Sequence, residues 1–142
     1  MDQLMTDART RLRRLILLLR AARVREAAAL RELGAAISAE AEACARRNRI
    51  LTLMQETAPL AGPVASGSLA AGAQLRSLLA PAQAGASVDI EAAARRRIRA
   101  QKLVESGRAR TSRLTDRLAA TRREAEADTL RFAEPARRRL SA

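Results

Sequence analysis

Two long stretches that favour α-helix flank a short segment rich in helix-breaking residues, and this arrangement constrains the fold more than any other feature. Residues 8–57 and 88–134 are dominated by Arg, Ala, Leu and Glu, which form helices readily, and neither contains proline. The segment 58–87 between them holds three prolines and four glycines. The pattern predicts an all-α protein, a long antiparallel two-helix coiled-coil hairpin with a short helical elbow at its tip.

The breaker residues also predict where each part of this hairpin begins and ends. Proline disfavours the helical conformation of the residue before it, so Pro59 and Pro135 are expected to end the two arms and Pro81 to end the elbow helix. Ser87 is expected to cap the second arm at its N-terminus. The chain is thus interpreted as a single coiled-coil domain over residues 1–142, with a first arm (8–57), a Pro/Gly elbow (58–87), a second arm (88–134) and a basic tail (135–142).

Composition favours a thin hydrophobic seam over a thick core. Phe132 is the only aromatic residue of the 142, whereas a globular core of this size normally contains several. Apolar residues at helical spacing predict one buried face on each arm. On the first arm these are Ile16, Leu19, Ala22, Ala27, Leu30, Leu33, Ile37, Ala41 and Cys44. On the second they are Ile90, Ala94, Ile98, Val104, Leu114, Leu118, Ala125 and Phe132.

Strict heptads are interrupted by charged residues, among them Glu26, Glu40 and Arg47. We therefore expect a seam with polar layers, which is weaker than a leucine zipper but fixes the register of the two helices. The second arm lacks a large apolar residue between Val104 and Leu114, and Gly107 lies in that gap. A loosened or bent zone is expected there.

The chain is strongly basic. It carries 27 Lys plus Arg against 15 Asp plus Glu, a net charge of +12, and Lys102 is the only lysine. The excess is larger in residues 88–142 (15 basic, 8 acidic) than in residues 1–58 (11 basic, 7 acidic). A preference for arginine over lysine is consistent with a functional role and equally with a GC-rich genome.

The chain lacks the residues that most enzymatic reactions need. The chain has no histidine, so neither a Ser-His-Asp triad nor a His-ligated metal site is available. The single cysteine, Cys44, cannot form an intrachain disulfide and is expected to be a small packed side chain. No glycine-rich phosphate loop followed by Lys-Ser/Thr occurs. We expect a protein that is not an enzyme and uses no metal or other cofactor.

Two kinds of segment are candidate binding surfaces. One is the apolar run from Leu15 to Leu19, which is apolar all around the helix and must be covered, either by the C-terminal part of the chain or by a partner. The other is a set of arginine clusters, which suits an acidic protein partner. Nucleic acid is the less expected partner, because no stacking aromatics accompany the arginines. The candidate partner-binding residues are Leu15, Leu18, Leu19, Arg95, Arg96, Arg97, Arg99, Arg137, Arg138 and Arg139.

The run from Leu12 to Ala28, LRRLILLLRAARVREAA, resembles the opening of FliJ-type flagellar export proteins, and the two-helix plan with a basic second helix is also similar. YscO-type virulence stalk proteins share that plan. The resemblance implies a two-helix stalk that docks into the pore of a hexameric export ATPase, contacts the membrane export gate and couples the ring to protein export. Alternatives from other classes are a nucleoid-associated coiled coil that binds nucleic acid and a helical export chaperone.

The length of the longest apolar run indicates where in the cell the protein is expected. Leu15 to Leu19 is far shorter than the roughly 20 residues that a transmembrane helix needs or the 7–15 apolar residues of a signal peptide. No membrane insertion is expected. We expect a cytoplasmic protein that is at most peripheral at the inner face of the cell membrane.

Overall fold

Two long α-helices make up the part of the chain that the structure describes, residues 2–57 and 66–141 of a computed structural model. Helix α1 is Asp2–Glu56, with 55 residues, and helix α2 is Ser66–Leu140, with 75 residues. The two helices pack against each other, and the predicted all-α class is confirmed. Their contacts divide the described residues into two units. We name them the terminal unit (2–30 with 103–141) and the central unit (31–57 with 66–102).

In the terminal unit the start of α1 packs antiparallel to the end of α2. Leu15 and Leu19 form a buried cluster with Leu118, while Glu26, further along α1, lies near Arg108, earlier on α2. Residue numbers therefore rise on one helix as they fall on the other. The seam positions alternate at spacings of three and four, as in a coiled coil. They are Ala8, Leu12, Leu15, Leu19, Ala22, Glu26 and Ala29 on α1 and Val104, Gly107, Thr111, Leu114, Leu118, Thr121 and Ala125 on α2, all buried or half-buried.

The central unit repeats this spacing with smaller side chains. Its most buried residues are alanines, with Ala36 at 0%, Ala43 at 2% and Ala100 at 2% relative exposure. The seam positions are Leu33, Ala36, Glu40, Ala43, Arg47, Ile50 and Met54 on α1 and Gly72, Arg76, Leu79, Gln83, Ala86, Ile90, Ala93, Arg97 and Ala100 on α2, all buried or half-buried. A Cβ built on Gly72 would lie 3.3 Å from the carbonyl oxygen of Thr57. The two backbones thus come close at this position because Gly72 has no side chain.

The predicted apolar stripes are only partly right. Leu19, Ala22 and Leu33 do lie in the seam, but Leu30 and Ile37 are 41% and 49% exposed. Ala27 and Ala41 on α1 and Ile98 and Phe132 on α2 are exposed as well. Charged residues occupy several seam positions. A prediction based on apolar residues alone therefore assigns the buried face to the residues beside the seam.

The predicted boundaries of the second arm are wrong. Helix α2 already begins at Ser66, so residues 66–87 belong to it and form no separate elbow helix. Ser87 lies inside the helix, where its hydroxyl donates to the carbonyl oxygen of Gln83 at 3.1 Å, and it caps nothing. Pro81 and Pro135 end no helix, and the basic tail is helical as far as Leu140. Pro59 lies outside the described residues.

Helix α2 also continues through Gly107, where we expected a loosened zone. Gly107 faces α1, since a Cβ built on it would lie 3.8 Å from the Cα of Glu26. The missing side chain leaves space beside a charged seam residue. The gap in large apolar residues therefore reflects a polar layer of the seam.

Removal of a seam leucine should destabilise the protein far more than removal of an exposed one. Leu19 is 7% exposed and Leu17 is 63% exposed. We expect Leu19→Ala to lower the free energy of unfolding by about 2–4 kcal/mol through lost burial and a residual cavity, and Leu17→Ala to change it by no more than about 0.5 kcal/mol. Urea unfolding followed by circular dichroism measures both, and equal effects would contradict the seam.

Replacement of the proline inside α2 should stabilise the protein. Pro81 is exposed and has no N–H to donate to the carbonyl of Ser77 one turn earlier. Pro81→Ala restores that hydrogen bond, and we expect a gain of up to about 3 kcal/mol in the free energy of unfolding. Pro135→Ala, close to the helix end at Leu140, is the control and should gain less. An unchanged melting temperature for Pro81→Ala would be evidence against a continuous helix at this position.

Candidate interaction surface

The arginine cluster of the central unit is partly engaged by its own chain. The Arg96 Nε donates to the Glu32 Oε1 at 2.8 Å, and the Arg97 guanidinium donates to the Glu40 carboxylate and to the side-chain oxygen of Gln101. Both carboxylates belong to α1, so these two ion pairs bridge the two helices.

The other two arginines of this cluster point away from the seam. Arg95 and Arg99 are exposed, and neither has a carboxylate partner among the described residues. Of the four arginines of this cluster, all predicted to bind a partner, these two have guanidinium groups available to acidic groups elsewhere.

The ion pair between Glu32 and Arg96 lowers the pKa of Glu32 below its ordinary value of 4.5. The main cause is the hydrogen bond from Arg96, and the positive charge of Arg96 acts in the same direction. The same contact raises the pKa of Arg96. Both side chains are nearly half exposed, so solvent screens the pair and its contribution to stability is small.

The apolar run of α1 is divided between the seam and the surface. Leu15 and Leu19 are buried against Leu118, at 9% and 7% exposure. Leu17 and Leu18 lie on the outer side of the helix, at 63% and 48% exposure. Of the three leucines predicted to bind a partner, Leu18 alone is accessible. We expected this run to be covered, and the C-terminal part of the chain does cover it on one side of the helix, through Leu118.

An apolar groove lies between the two helix ends of the terminal unit. Its volume is about 840 Å³. Met5 and Phe132 continue the seam spacing on α1 and α2, yet they are 47% and 42% exposed, so the helices no longer cover each other there. The groove is lined by Leu4, Met5, Ala8, Arg9, Leu12, Arg122, Ala125, Glu126, Asp128, Thr129, Leu130 and Phe132.

The three arginines of the tail extend the basic surface of the terminal unit. Arg137, Arg138 and Arg139 occupy the last turn of α2 and are exposed. The helix C-terminus carries partial negative charge, which favours cations in this turn. The terminal unit as a whole has 17 basic and 9 acidic side chains, so an approaching acidic surface meets a positive field.

The groove was not among the sequence predictions. Leu4 and Leu130 are 66% and 70% exposed, but the sequence does not distinguish them from its many other leucines. The signal that would have found the groove is the alternating three-and-four spacing. Extended from Ala8 and Ala125, it assigns Met5 and Phe132 to a seam that the two helix ends leave open.

None of the described His, Cys, Asp and Glu side chains form a group of three that could hold a metal ion. Neither helix contains a segment apolar enough over a sufficient length to cross a membrane. Comparisons of the chain with protein-family models, with curated proteins and with solved structures gave no match.

The Glu32–Arg96 contact predicts a specific dependence of stability on pH. Because the pKa of Glu32 is lower in the folded chain than its ordinary 4.5, its contribution is fully present above about pH 4.5. It is lost as the pH falls through the folded value. Glu32→Gln should therefore lower the melting temperature slightly at pH 7, and the difference from the unmodified chain should disappear in acid.

Thermal unfolding of both chains over a pH series measures this difference. Glu42→Gln is a suitable control, because Glu42 is exposed on the same helix and forms no ion pair in the described residues. A difference for Glu32→Gln that persists unchanged in acid would show that the carboxylate charge is not its cause.

Proposed function

We propose that this protein is a non-enzymatic stalk of a flagellar-type (type III) protein export apparatus, which docks into the ring of the export ATPase and contacts the export gate. The observation that carries the proposal is the pair of long helices held by a one-sided seam, which leaves most side chains on the surface for partners. The FliJ-like run supports it, because Leu12 to Ala28 lies in one uninterrupted helix.

The terminal unit is the better candidate for docking into the ring. It combines an apolar groove lined by Leu4, Leu130 and Phe132 with the exposed Leu18 and a large excess of arginine. Apolar side chains supply contact area that is lost to water on binding, and the arginines accelerate and orient the approach to an acidic surface. Leu15 and Leu19 act indirectly in this proposal, because they hold α1 against α2.

The central unit is the part that we propose binds the second partner, the export gate. Arg95 and Arg99 are free to bind an acidic surface, such as a loop of the export gate, while Arg96 and Arg97 are already paired with Glu32 and Glu40 of α1. A protein that binds one partner through each unit has the layout that a coupling component requires.

Nucleic acid binding is the second candidate, and the exposed arginines favour it. Arg95, Arg99 and the tail arginines could all contact phosphates, for which the guanidinium group is well suited. Such binding would lose affinity steeply as salt rises, because phosphate contacts release counterions. Tight binding of duplex DNA at physiological salt, as against an effect on the export ATPase, therefore separates the two candidates.

The stalk proposal predicts that the purified protein stimulates its cognate export ATPase while hydrolysing no ATP itself. The double variant Leu18→Ser with Phe132→Ser should reduce that stimulation several-fold, because both apolar side chains are exposed in the terminal unit, at 48% and 42%. The measurement is phosphate release by the ATPase with increasing amounts of each variant.

The matched control is Leu53→Ser with Leu78→Ser, two leucines of the central unit that are 46% and 69% exposed. This variant should stimulate as the unmodified chain does, and circular dichroism should show equal helix content in all three proteins. Tight duplex DNA binding at physiological salt with no effect on the ATPase would overturn the stalk proposal in favour of nucleic acid binding.

A further inference from the structure

The two flanks of the seam in the central unit differ sharply in charge. Arg96 and Glu32 each come immediately before a seam position, and they pair across the helices. Residues that precede seam positions therefore share one flank, and residues that follow them share the other. The preceding flank carries Glu32, Glu42, Arg46, Arg49, Asp89, Arg96 and Arg99.

The following flank has almost no charge, and we name it the uncharged flank. On α1 it consists of Gly34, Ile37, Ala41, Cys44, Asn48 and Leu51, and on α2 of Ala73, Ser77, Ala80, Ala84, Ser87, Glu91, Ala94, Ile98 and Gln101. Glu91 is its single ionised side chain. In a chain with net charge +12, such a stretch along both helices requires an explanation. Ile37 and Ile98 expose apolar surface on it, at 49% and 44%.

The row beside the seam on α1 has larger side chains at its two ends than the matching row on α2. Ile37, Cys44 and Leu51 repeat every seven residues on α1, and Ala80, Ser87 and Ala94 repeat every seven residues on α2. With the two helices antiparallel, the large Ile37 and Leu51 belong to one row and the small Ala80 and Ala94 to the other, while Cys44 and Ser87 are both small. A two-fold axis parallel to the helices would place the larger row of one copy over the small row of another, and the reverse at the same time.

The area of the uncharged flank is sufficient for a stable dimer. At 1.5 Å per residue the flank is about 42 Å long on α2, from Ala73 to Gln101, and about 26 Å long on α1, from Gly34 to Leu51, and each helix is about 9 Å wide. Each copy would therefore bury about 600 Å², a total of about 1,200 Å², which is the lower end of the range for stable interfaces.

We propose that the chain associates with a second copy of itself through the uncharged flank, in a parallel pair of hairpins whose central units form a four-helix bundle. In it, Ile37 packs over Ala94 of the other copy, Cys44 over Ser87 and Leu51 over Ala80. This inference concerns the central unit alone and does not rest on the proposed function.

Sedimentation equilibrium of the full chain tests the association. We expect a mass of about twice 15.4 kDa at micromolar concentration. Because the interface lacks charge while each copy is strongly positive, added salt should strengthen the dimer by screening repulsion between copies. A monomer throughout the accessible concentration range would overturn the proposal, as would a dimer that salt dissociates.

A matched pair of substitutions tests the face. Ala41 lies on the uncharged flank and Ala35 on the opposite one, and both are exposed alanines of α1. Ala41→Glu should raise the dissociation constant of the dimer more than about 100-fold, because a buried unpaired carboxylate is strongly unfavourable. Ala35→Glu should leave it unchanged. Equal dissociation constants for the two variants would place the interface elsewhere and refute the proposal.

Disulfide formation tests the pairing of the rows. A chain with its native Cys44 is mixed with a tagged chain that carries Cys44→Ala and Ser87→Cys, so that each chain has one thiol and no intrachain bond can form. Oxidation should give the mixed covalent dimer. A tagged chain with Cys44→Ala and Ala92→Cys, on the opposite flank, should not. Equal cross-linking of both tagged chains, or of neither, would contradict the arrangement.

Discussion

The fold depends on a seam in which, among residues 2–57 and 66–141, each helix packs against one other helix. A residue between two helices can be fully covered only if it is small, which explains why Ala36, Ala43 and Ala100 are the most buried positions while leucines retain some exposure. Larger apolar residues are well covered where several meet, as at Leu15, Leu19 and Leu118. Apolar residues are therefore in excess of what the seam buries, and the remainder lie on the surface.

The charged members of the seam set its register. Glu40 is paired with Arg97, and Glu26 lies against Gly107, where no side chain competes for space. A shift by one heptad would bring Glu26 to Ala100 or Leu114 and would separate Glu40 from Arg97. Since alanine-rich layers pack almost equally well in several registers, these polar contacts distinguish the native alignment from its neighbours. The cost is visible in two polar atoms, Arg47 Nε and Thr111 Oγ1, which are buried without a hydrogen-bond partner among the described residues.

Sequence reasoning reached the helical class and the antiparallel pairing, because Arg, Ala, Leu and Glu dominate both arms. It placed the buried face one position away over much of the first arm, at Ile37 instead of Ala36 and at Ala41 instead of Glu40, because it counted apolar residues while charged residues occupy several seam positions. It ended helices at Pro81 and Pro135 from local propensity, whereas both prolines lie exposed inside α2, and next to Pro81 the seam residues Leu79 and Gln83 are half-buried. The seam spacing extends to Met5 and Phe132, but the groove between them depends on where the two helix ends stop covering each other, which is set by the pairing of segments far apart in the sequence.

The distribution of charge separates two kinds of surface on one helix pair. Where arginines project without carboxylate partners, as at Arg95, Arg99 and Arg137 to Arg139, the chain attracts acidic surfaces over a distance of about one Debye length. Where charge is absent, as around Ile37 and Ala94, long-range attraction is missing and only a surface of matching shape gains free energy by contact. An acidic partner and a second copy would thus be recognised by different physical forces. Salt would weaken the first association and strengthen the second. Because the two surfaces use different side chains, both associations can occur on the same chain.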